Sequence, residues 1–159
     1  MSSPALQSDP ETLTHITKLW SALFPTSPIY NFILPSIRIT HASPGLVHAR
    51  LTLSQEHLNS KLGLHGAVSA TIIDAFGGLA IASTDLREKT GASVDLNVSY
   101  LGSASQGDEI EIEGKAEKVG GSLAFTSVTL YKVKEEVRGS IIVMGRHTKF
   151  VRQPTVKKE

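Results

Sequence analysis

The chain contains no cysteine and carries almost no net charge. With no cysteine among its 159 residues, disulfides, thiolate metal sites and cysteine nucleophiles are all excluded. This suits an intracellular protein; we expect the cytoplasm, with the mitochondrion as the alternative. The net charge is only +1, so no strong field points to nucleic acid or to an acidic partner.

Long apolar runs and targeting signals are missing as well. No run approaches the roughly 20 apolar residues that a membrane span needs. The start, MSSPALQSDP, has neither a basic residue before an apolar run nor the arginine of a mitochondrial presequence, so we expect no secretory signal. Apolar residues make up 40% of the chain, enough for one core. We predict a single domain over residues 1–159, with its core at about 30–151 and a polar tail at 152–159.

The first predicted element is a helix over about residues 10–24. Asp9 and Pro10 form a typical helix start, and Pro25 and Pro28 end the segment. Between them, apolar residues recur at helical spacing and predict one buried face: Leu13, Ile16, Leu19, Trp20 and Leu23.

Six segments have the alternation of strands. They cover residues 33–41, 46–53, 93–100, 109–118, 122–132 and 137–151. In the third of them Ser93, Asp95, Asn97 and Ser99 alternate with apolar residues. Gly120-Gly121 predicts a two-residue hairpin turn, and residues 55–64 are polar and irregular enough for a loop.

The most informative stretch is HGAVSATIIDAFGG at residues 65–78, within a predicted helix of about 65–84. This helix is apolar on most of its circumference, which is typical of a buried helix. Asp74 is the only Asp, Glu, Lys or Arg between Lys61 and Asp85. We expect its apolar neighbours to raise its pKa while leaving it mostly ionised near neutrality. The adjacent Gly77 and Gly78 predict a close approach of another backbone.

The order of these elements predicts the fold class. One helix, two strands, a long buried helix and four strands indicate an α+β protein, in which a six-stranded antiparallel sheet wraps around the central helix. Such a sheet has open edges and one open face, which favours pairing with a second copy of the chain.

Several motifs in order resemble the hotdog-fold acyl-CoA thioesterases. The similarity is greatest to the branch that contains the animal thioesterase superfamily member 2 and the bacterial phenylacetate-pathway thioesterases. It covers about residues 30–151 and rests on NSKLGLHGA at 59–67, Asp74, ASVDLNVSY at 92–100, LAFTSV at 123–128 and GRHTK at 145–149. The family usually reads His-Gly-Gly where this chain has His65-Gly66-Ala67, so Ala67 adds a methyl where the acyl group would pass.

The resemblance implies hydrolysis of acyl-CoA to a carboxylic acid and CoA, and the residues fit that chemistry. Gly66 begins a helix and has no side chain, so a carbonyl oxygen can approach its N–H. Asn59, by resemblance, donates to the same oxygen. Asp74 is the candidate base or nucleophile, and Ser93, by resemblance, holds the attacking water. Ser93 itself is not proposed as the nucleophile, because no His–Asp pair is evident beside it.

Spacing places these residues in two half-sites. Gly66 and Asp74 are eight residues apart, so they lie about 12 Å apart along one helix and cannot both reach one reacting carbon. We therefore expect Asn59 and Gly66 of one protomer to face Asp74 and Ser93 of its partner in a homodimer. Pairing of dimers into a tetramer is an expectation from the resemblance.

The resemblance also implies where CoA, as part of the substrate rather than a cofactor, would bind. The pantetheine would pass Ser93 and the strand end, and the hairpin would contact the nucleotide with the charge of Lys118 and exposed glycine N–H groups. The candidate binding residues are His65, Tyr100, Leu101, Gly102, Ser103, Lys118, Val119, Gly120, Gly121 and Ser122. Arg146, His147 and Lys149 would add positive potential near the CoA head or form a solvated face.

Other interpretations remain open at this point. Each residue taken singly has a structural alternative: Gly66 as a tight helix entry, Asp74 as a hydrogen-bonding group and residues 118–122 as a plain hairpin. His57 and His65 lack a third metal ligand, so we expect no metal. A non-catalytic acyl-CoA or lipid-binding module is the alternative from another class, and an acyl-CoA hydratase is the alternative enzyme on the same fold.

Overall fold

The structure, a computed structural model, describes residues 7–152, and most of the predicted polar tail lies outside this range. Within this range the chain forms three α-helices and six β-strands with the following bounds. They are α1 Pro10–Leu23, α2 Pro28–Ile33, β1 Arg38–Ser43, β2 Leu46–Thr52, α3 Gly66–Asp85, β3 Ala92–Tyr100, β4 Glu109–Val119, β5 Leu123–Lys134 and β6 Val137–Phe150.

The six strands form one sheet in the order β1-β2-β4-β5-β6-β3, and every neighbouring pair is antiparallel. This confirms the predicted hotdog architecture. β1 and β3 are the two edges of the sheet. The N-terminal segment covers part of β1, where the Asp9 N–H donates to the Ala42 carbonyl. Most residues of β3 are exposed, so this edge is open for pairing.

Helix α3 lies against the concave face of the sheet. Its length and hydropathy match those of a membrane-crossing helix, but 72% of that window is buried inside the fold. Ile72, Ile73, Phe76 and Leu79 are fully buried, and side chains from β2, β4, β5 and β6 complete the same core. The helix is therefore the hydrophobic centre of a globular domain, as its apolar circumference predicts.

The N-terminal region contains a second helix that the sequence interpretation missed. Helix α1 begins as predicted, with the Asp9 carboxylate accepting from the Thr12 N–H at 2.8 Å. The prediction of a strand from Ile33 was wrong: α2 ends at Ile33, and β1 begins at Arg38. The physical reason is that Ser27 caps α2 and Pro28 occupies its first turn, so this proline begins a helix rather than only ending one.

The predicted two-residue turn at Gly120-Gly121 was also wrong. Residues 120–122 form a three-residue connection between β4 and β5. A two-residue turn does occur at Glu135-Glu136, where both residues have positive φ, as a type I′ hairpin turn requires. The Glu136 carboxylate contacts the Arg50 guanidinium at 2.6 Å, which helps to hold the turn.

The close contacts at the paired glycines come from side chains rather than from a backbone. A Cβ on Gly77 would lie 2.9 Å from Thr126 Oγ1 and 3.1 Å from His147 Nδ1, and one on Gly78 would lie 2.7 Å from the Thr90 Cβ. A close backbone contact between the sheet and α3 occurs instead at Gly114 in β4, where a Cβ would lie 2.8 Å from the carbonyl oxygen of Phe76. Glycine at 77 therefore leaves room for the imidazole of His147.

Candidate active site

The carboxylate of Asp74 is the centre of a polar cluster on the apolar helix. Its Oδ1 accepts from Ser93 Oγ at 3.1 Å and from Lys149 Nζ at 3.4 Å, and its Oδ2 accepts from the Tyr30 hydroxyl. His147 Nε2 lies 3.7 Å from Oδ1. The Asp74 side chain is 34% exposed. The carboxylate is thus paired on one side and open to a ligand on the other.

A β-bulge turns Ser93 toward Asp74. Ser93 pairs with Lys149 and Asp95 with Thr148, so the register shifts between Ser93 and Asp95. The extra residue, Val94, reverses the alternation, and Ser93 therefore faces α3 although Asp95 and the alternating residues after it line the outer face of the sheet. The predicted alternation placed Ser93 and Asp95 on one face, and this was wrong because a strict period of two cannot include a bulge.

His147 lies beside Ser93 and Asp74 but does not form a nucleophilic triad with them. Its Nε2 is 2.9 Å from Ser93 Oγ. Because an ionised carboxylate only accepts, Ser93 donates its single proton to Asp74 and accepts from Nε2–H of His147. In a triad the carboxylate holds the other ring nitrogen, whereas here Asp74 lies 3.7 Å from Nε2, the same nitrogen that contacts Ser93. Ser93 is accordingly unsuited as the nucleophile, although a histidine and an aspartate do lie beside it.

The pKa of Asp74 is lowered, against the expectation that its apolar surroundings would raise it. Burial does raise the pKa, but the Tyr30 hydrogen bond, the charge of Lys149, His147 and the Ser93 hydrogen bond together outweigh burial. Burial and the adjacent Lys149 lower the pKa of His147. At neutral pH the site therefore holds an ionised carboxylate next to a neutral imidazole.

The start of α3 offers a free backbone donor at Gly66. His65 caps the helix, with its Nδ1 accepting from the Ala67 N–H at 3.0 Å. The Gly66 N–H makes no hydrogen bond within the part of the chain that the structure describes. A Cβ at Gly66 would lie 3.1 Å from the Tyr100 hydroxyl, which donates to the Gly66 carbonyl at 3.2 Å. Glycine at 66 therefore leaves room for the Tyr100 ring to pack on the backbone.

Asn59 has its amide oxygen engaged and its amide nitrogen available. Oδ1 accepts from the backbone N–H groups of Lys61 and Gly63 at 2.9 and 3.2 Å, and the Asn59 N–H donates to the Gly63 carbonyl. These bonds close a tight loop just ahead of α3. The side chain is therefore oriented with its NH₂ as the group that can donate to a ligand.

The two candidate groups stay apart within one protomer. Gly66 and Asp74 lie on one continuous helix, α3, and are separated by about 12 Å along its axis. Strand β3 contacts both positions, with Ser93 at Asp74 and Tyr100 at Gly66. One protomer thus presents a carboxylate half-site and a carbonyl-binding half-site that do not meet.

The predicted CoA-binding residues divide into two exposed groups. Leu101 and Gly102 follow β3 and donate their N–H groups to the Ile142 carbonyl, and Ser103 is exposed beside them. In the β4–β5 hairpin Lys118, Gly121 and Ser122 are exposed, and Val119 and Gly120 are half-buried. Val119 packs on a small apolar cluster that includes Ile81, seven residues beyond Asp74 in α3.

The three basic residues near the end of β6 do not share a role. Arg146 is exposed on the outer face of the sheet. His147 is fully buried and Lys149 is 4% exposed, and both contact Asp74. The alternative of a solvated face was therefore wrong for His147 and Lys149. A signal was available in the sequence, because His147 and Lys149 occupy the same alternate positions as the apolar Val143 and Val151, which are buried.

His57, considered above as a metal ligand, has both ring nitrogens in hydrogen bonds that stabilise the fold. It is fully buried, its Nδ1 accepts from the Ser54 N–H at 2.9 Å, and its Nε2 contacts the Ile33 carbonyl at 2.6 Å. Because Nδ1 accepts, Nε2 carries the proton and donates to Ile33. His57 thus ties the end of α2 to the loop that carries Asn59.

Comparisons with known proteins identify the family of the chain. The thioesterase superfamily profile matches residues 63–138. Human acyl-coenzyme A thioesterase 13 is 38% identical over 119 residues, which are 75% of this chain and 82% of the human protein. The mouse protein of the same name is 34% identical over 124 residues, 78% of this chain and 86% of its own.

A solved structure extends the similarity to the whole fold. Zebra fish thioesterase superfamily member 2 superposes with a TM-score of 0.75 at 29% identity, covering 91% of this chain and 98% of the fish chain. The chain therefore belongs to the thioesterase superfamily and, within it, to the hotdog-fold acyl-CoA thioesterases that its sequence motifs resemble.

Proposed function

We propose that the protein hydrolyses acyl-CoA thioesters to a free carboxylic acid and CoA with water activated by Asp74. The observation that carries this proposal is the state of the Asp74 carboxylate, which is ionised, held by Tyr30, Ser93 and Lys149, and one-third exposed. A carboxylate in this state can accept the proton of a bound water. The curated relatives are named for the same reaction.

Water, the thioester and the side chain of Asp74 account for every bond and proton in the reaction. The water oxygen attacks the thioester carbon while its proton passes to Asp74, and the negative charge that develops on the carbonyl oxygen is stabilised by the Gly66 N–H and the Asn59 amide. Collapse of the tetrahedral intermediate breaks the carbon–sulfur bond. The proton held by Asp74 then returns to the departing thiolate, which leaves as CoA.

A complete site in this proposal needs two protomers. The 12 Å separation along α3 prevents Gly66 and Asp74 of one chain from acting on one carbonyl. Antiparallel pairing of two α3 helices across a two-fold axis would bring each Asp74 to the partner's Gly66, and the open β3 edge would join the two sheets. We further propose a tetramer of two such dimers and a cytoplasmic location, to be tested by light scattering and by cell fractionation.

The CoA moiety would run from the paired half-sites toward exposed backbone. In this proposal the pantetheine follows β3 to residues 101–103, and the hairpin 118–122 contacts the nucleotide. The exposed Lys118 supports a phosphate contact because a lysine ammonium binds phosphate as a point charge.

Release of thiol from a panel of acyl-CoAs, with Asp74→Asn beside the parent, tests this function. We expect the parent to release CoA and Asp74→Asn to lose about 10²- to 10⁴-fold in kcat while still binding substrate. Asp95→Asn is a matched control, since Asp95 lies on the outer face of the same sheet. Binding without thiol release by the parent would support the non-catalytic module, and consumption of an enoyl-CoA without thiol release would support the hydratase.

A further inference from the structure

The N-terminal region supplies a group to the candidate site that the sequence motifs do not include. Tyr30, in the first turn of α2, donates its hydroxyl to Oδ2 of Asp74. Burial and then the adjacent carboxylate raise the pKa of Tyr30, so the phenol remains a neutral donor throughout the working range of an enzyme.

Three contacts hold Tyr30 in place. Its ring packs at 5.8 Å from the ring of Trp20, which is itself buried in the core. Ser27 caps the start of α2, and His57 donates to the Ile33 carbonyl at its end. The hydroxyl is therefore positioned by a helix fixed at both termini rather than by a mobile loop.

The carboxylate of Asp74 has one acceptor position left for a water. Each carboxylate oxygen has two lone-pair directions. Ser93 and Lys149 occupy those of Oδ1, and Tyr30 occupies one on Oδ2. Among residues 7–152, no hydrogen-bond donor occupies the second position on Oδ2.

We propose that Tyr30 is a positioning residue of the reaction: its hydroxyl fixes Oδ2 of Asp74 so that the free lone pair of this oxygen is aimed at the attacking water. The proposal rests on the proposed function and deepens it. It makes α2 part of the active site and identifies Oδ2, rather than Oδ1, as the oxygen that takes the proton.

Removing the hydroxyl in Tyr30→Phe tests the proposal, since the ring that packs on Trp20 remains. The phenol stabilises the ionised carboxylate, so the acid limb of the kcat profile should move up by about one pH unit. We expect kcat to fall about tenfold with KM changed less than about twofold. Tyr131→Phe is the matched control, because Tyr131 lies on β5 under the Arg138 guanidinium, away from Asp74.

Two further measurements separate positioning from a purely structural role. In an Asp74→Asn background, Tyr30→Phe should cause no further loss of kcat, because the phenol acts through the carboxylate. Incorporation of 3-fluorotyrosine at position 30 keeps the geometry and strengthens the donor, so the acid limb should move down.

The outcomes distinguish this inference from the proposed function. An acid limb unchanged in both position-30 variants, or an equal loss of kcat from Tyr30→Phe with and without Asp74, overturns the role of Tyr30 alone. Full thiol release by Asp74→Asn overturns the proposed function and the inference with it.

Discussion

The hydroxyl of Ser93 donates to Oδ1 of Asp74 across 3.1 Å, from a strand whose simple alternation would point it away from the helix. The bulge between Ser93 and Asp95 produces this contact. Bulges re-aim a side chain at the expense of regular pairing. Here the re-aimed side chain reaches the carboxylate in the middle of an otherwise apolar helix.

Ser93→Ala tests the importance of this contact. The substitution removes one donor to an ionised carboxylate and leaves His147 Nε2 without its acceptor, so we expect kcat to fall about tenfold. Thiol release at saturating acyl-CoA measures the effect. Ser99→Ala is the control, since Ser99 lies on the outer face of the same strand. Equal rates for Ser93→Ala and Ser99→Ala would show that the contact has no part in the reaction.

The division of the site between two protomers predicts complementation. Asn59→Ala and Asp74→Asn should each be nearly inactive as homodimers. Co-expressed in equal amounts, they should form heterodimers in which one site has both natural residues, so about a quarter of all sites should become active. Activity of the mixture no greater than the mean of the two variants would mean that Asn59 and Asp74 act from the same chain.

Stability should fall in mild acid because His147 is held neutral. Its folded pKa lies below the ordinary value of 6.5, so the unfolded chain binds the proton first as the pH drops below 6.5. The free energy of unfolding should therefore decrease from there down to the folded pKa. Urea unfolding measured at several pH values should show that the free energy of unfolding depends less on pH in His147→Gln than in the parent. An identical pH dependence in the two proteins would contradict the lowered pKa of His147.

Asp74 affects stability in a lower pH range than His147. Its folded pKa is lowered below 3.8, so the stability contributed by its ionised form is present above that value and is lost as the pH falls through the folded pKa. Between neutrality and about pH 5 the carboxylate stays ionised. Activity should accordingly show no loss from Asp74 in that interval, as a pH profile of kcat with a CoA ester stable in mild acid would show.

The close contact between β4 and α3 predicts that a side chain at position 114 will destabilise the fold. A Cβ there would lie 2.8 Å from the Phe76 carbonyl oxygen, and neither backbone can yield easily. We expect Gly114→Ala to lower the free energy of unfolding by about 1–3 kcal/mol. Gly121→Ala is the stability control, because a Cβ at that position meets no atom within 4 Å. Similar urea midpoints for the two variants would show that the helix can move away from β4.

Much of the fold could be predicted from local patterns. The strict alternation from Glu109 onward places Ile110 and Ile112 inside, and both are fully buried. The bounds of α3 were predicted to within one residue, since its start is marked by His65-Gly66. Helix α2 was missed because a single proline can end one helix or begin another, and six residues are too few to show a helical period.

The candidate site was predicted only in part. Asp74 and Gly66 were singled out from their places in an apolar helix, and Asn59 and Ser93 through the resemblance. Tyr30 and Lys149 were not recognised as partners of Asp74, from which they lie 44 and 75 residues away in the chain. No periodicity within one segment reports such contacts, because they depend on how separate elements pack.

The sequence by itself determined the hydrophobic centre, the strand set and the presence of one carboxylate on an apolar helix, since these follow from side-chain type and local spacing. Only the tertiary structure decided the protonation state and surroundings of that carboxylate. Apolar neighbours in sequence suggested a raised pKa, whereas donors from α2, β3 and β6 lower it. The reason is physical: burial acts through the whole local environment, but a hydrogen bond or an ion pair depends on a few atoms brought within about 3 Å by folding.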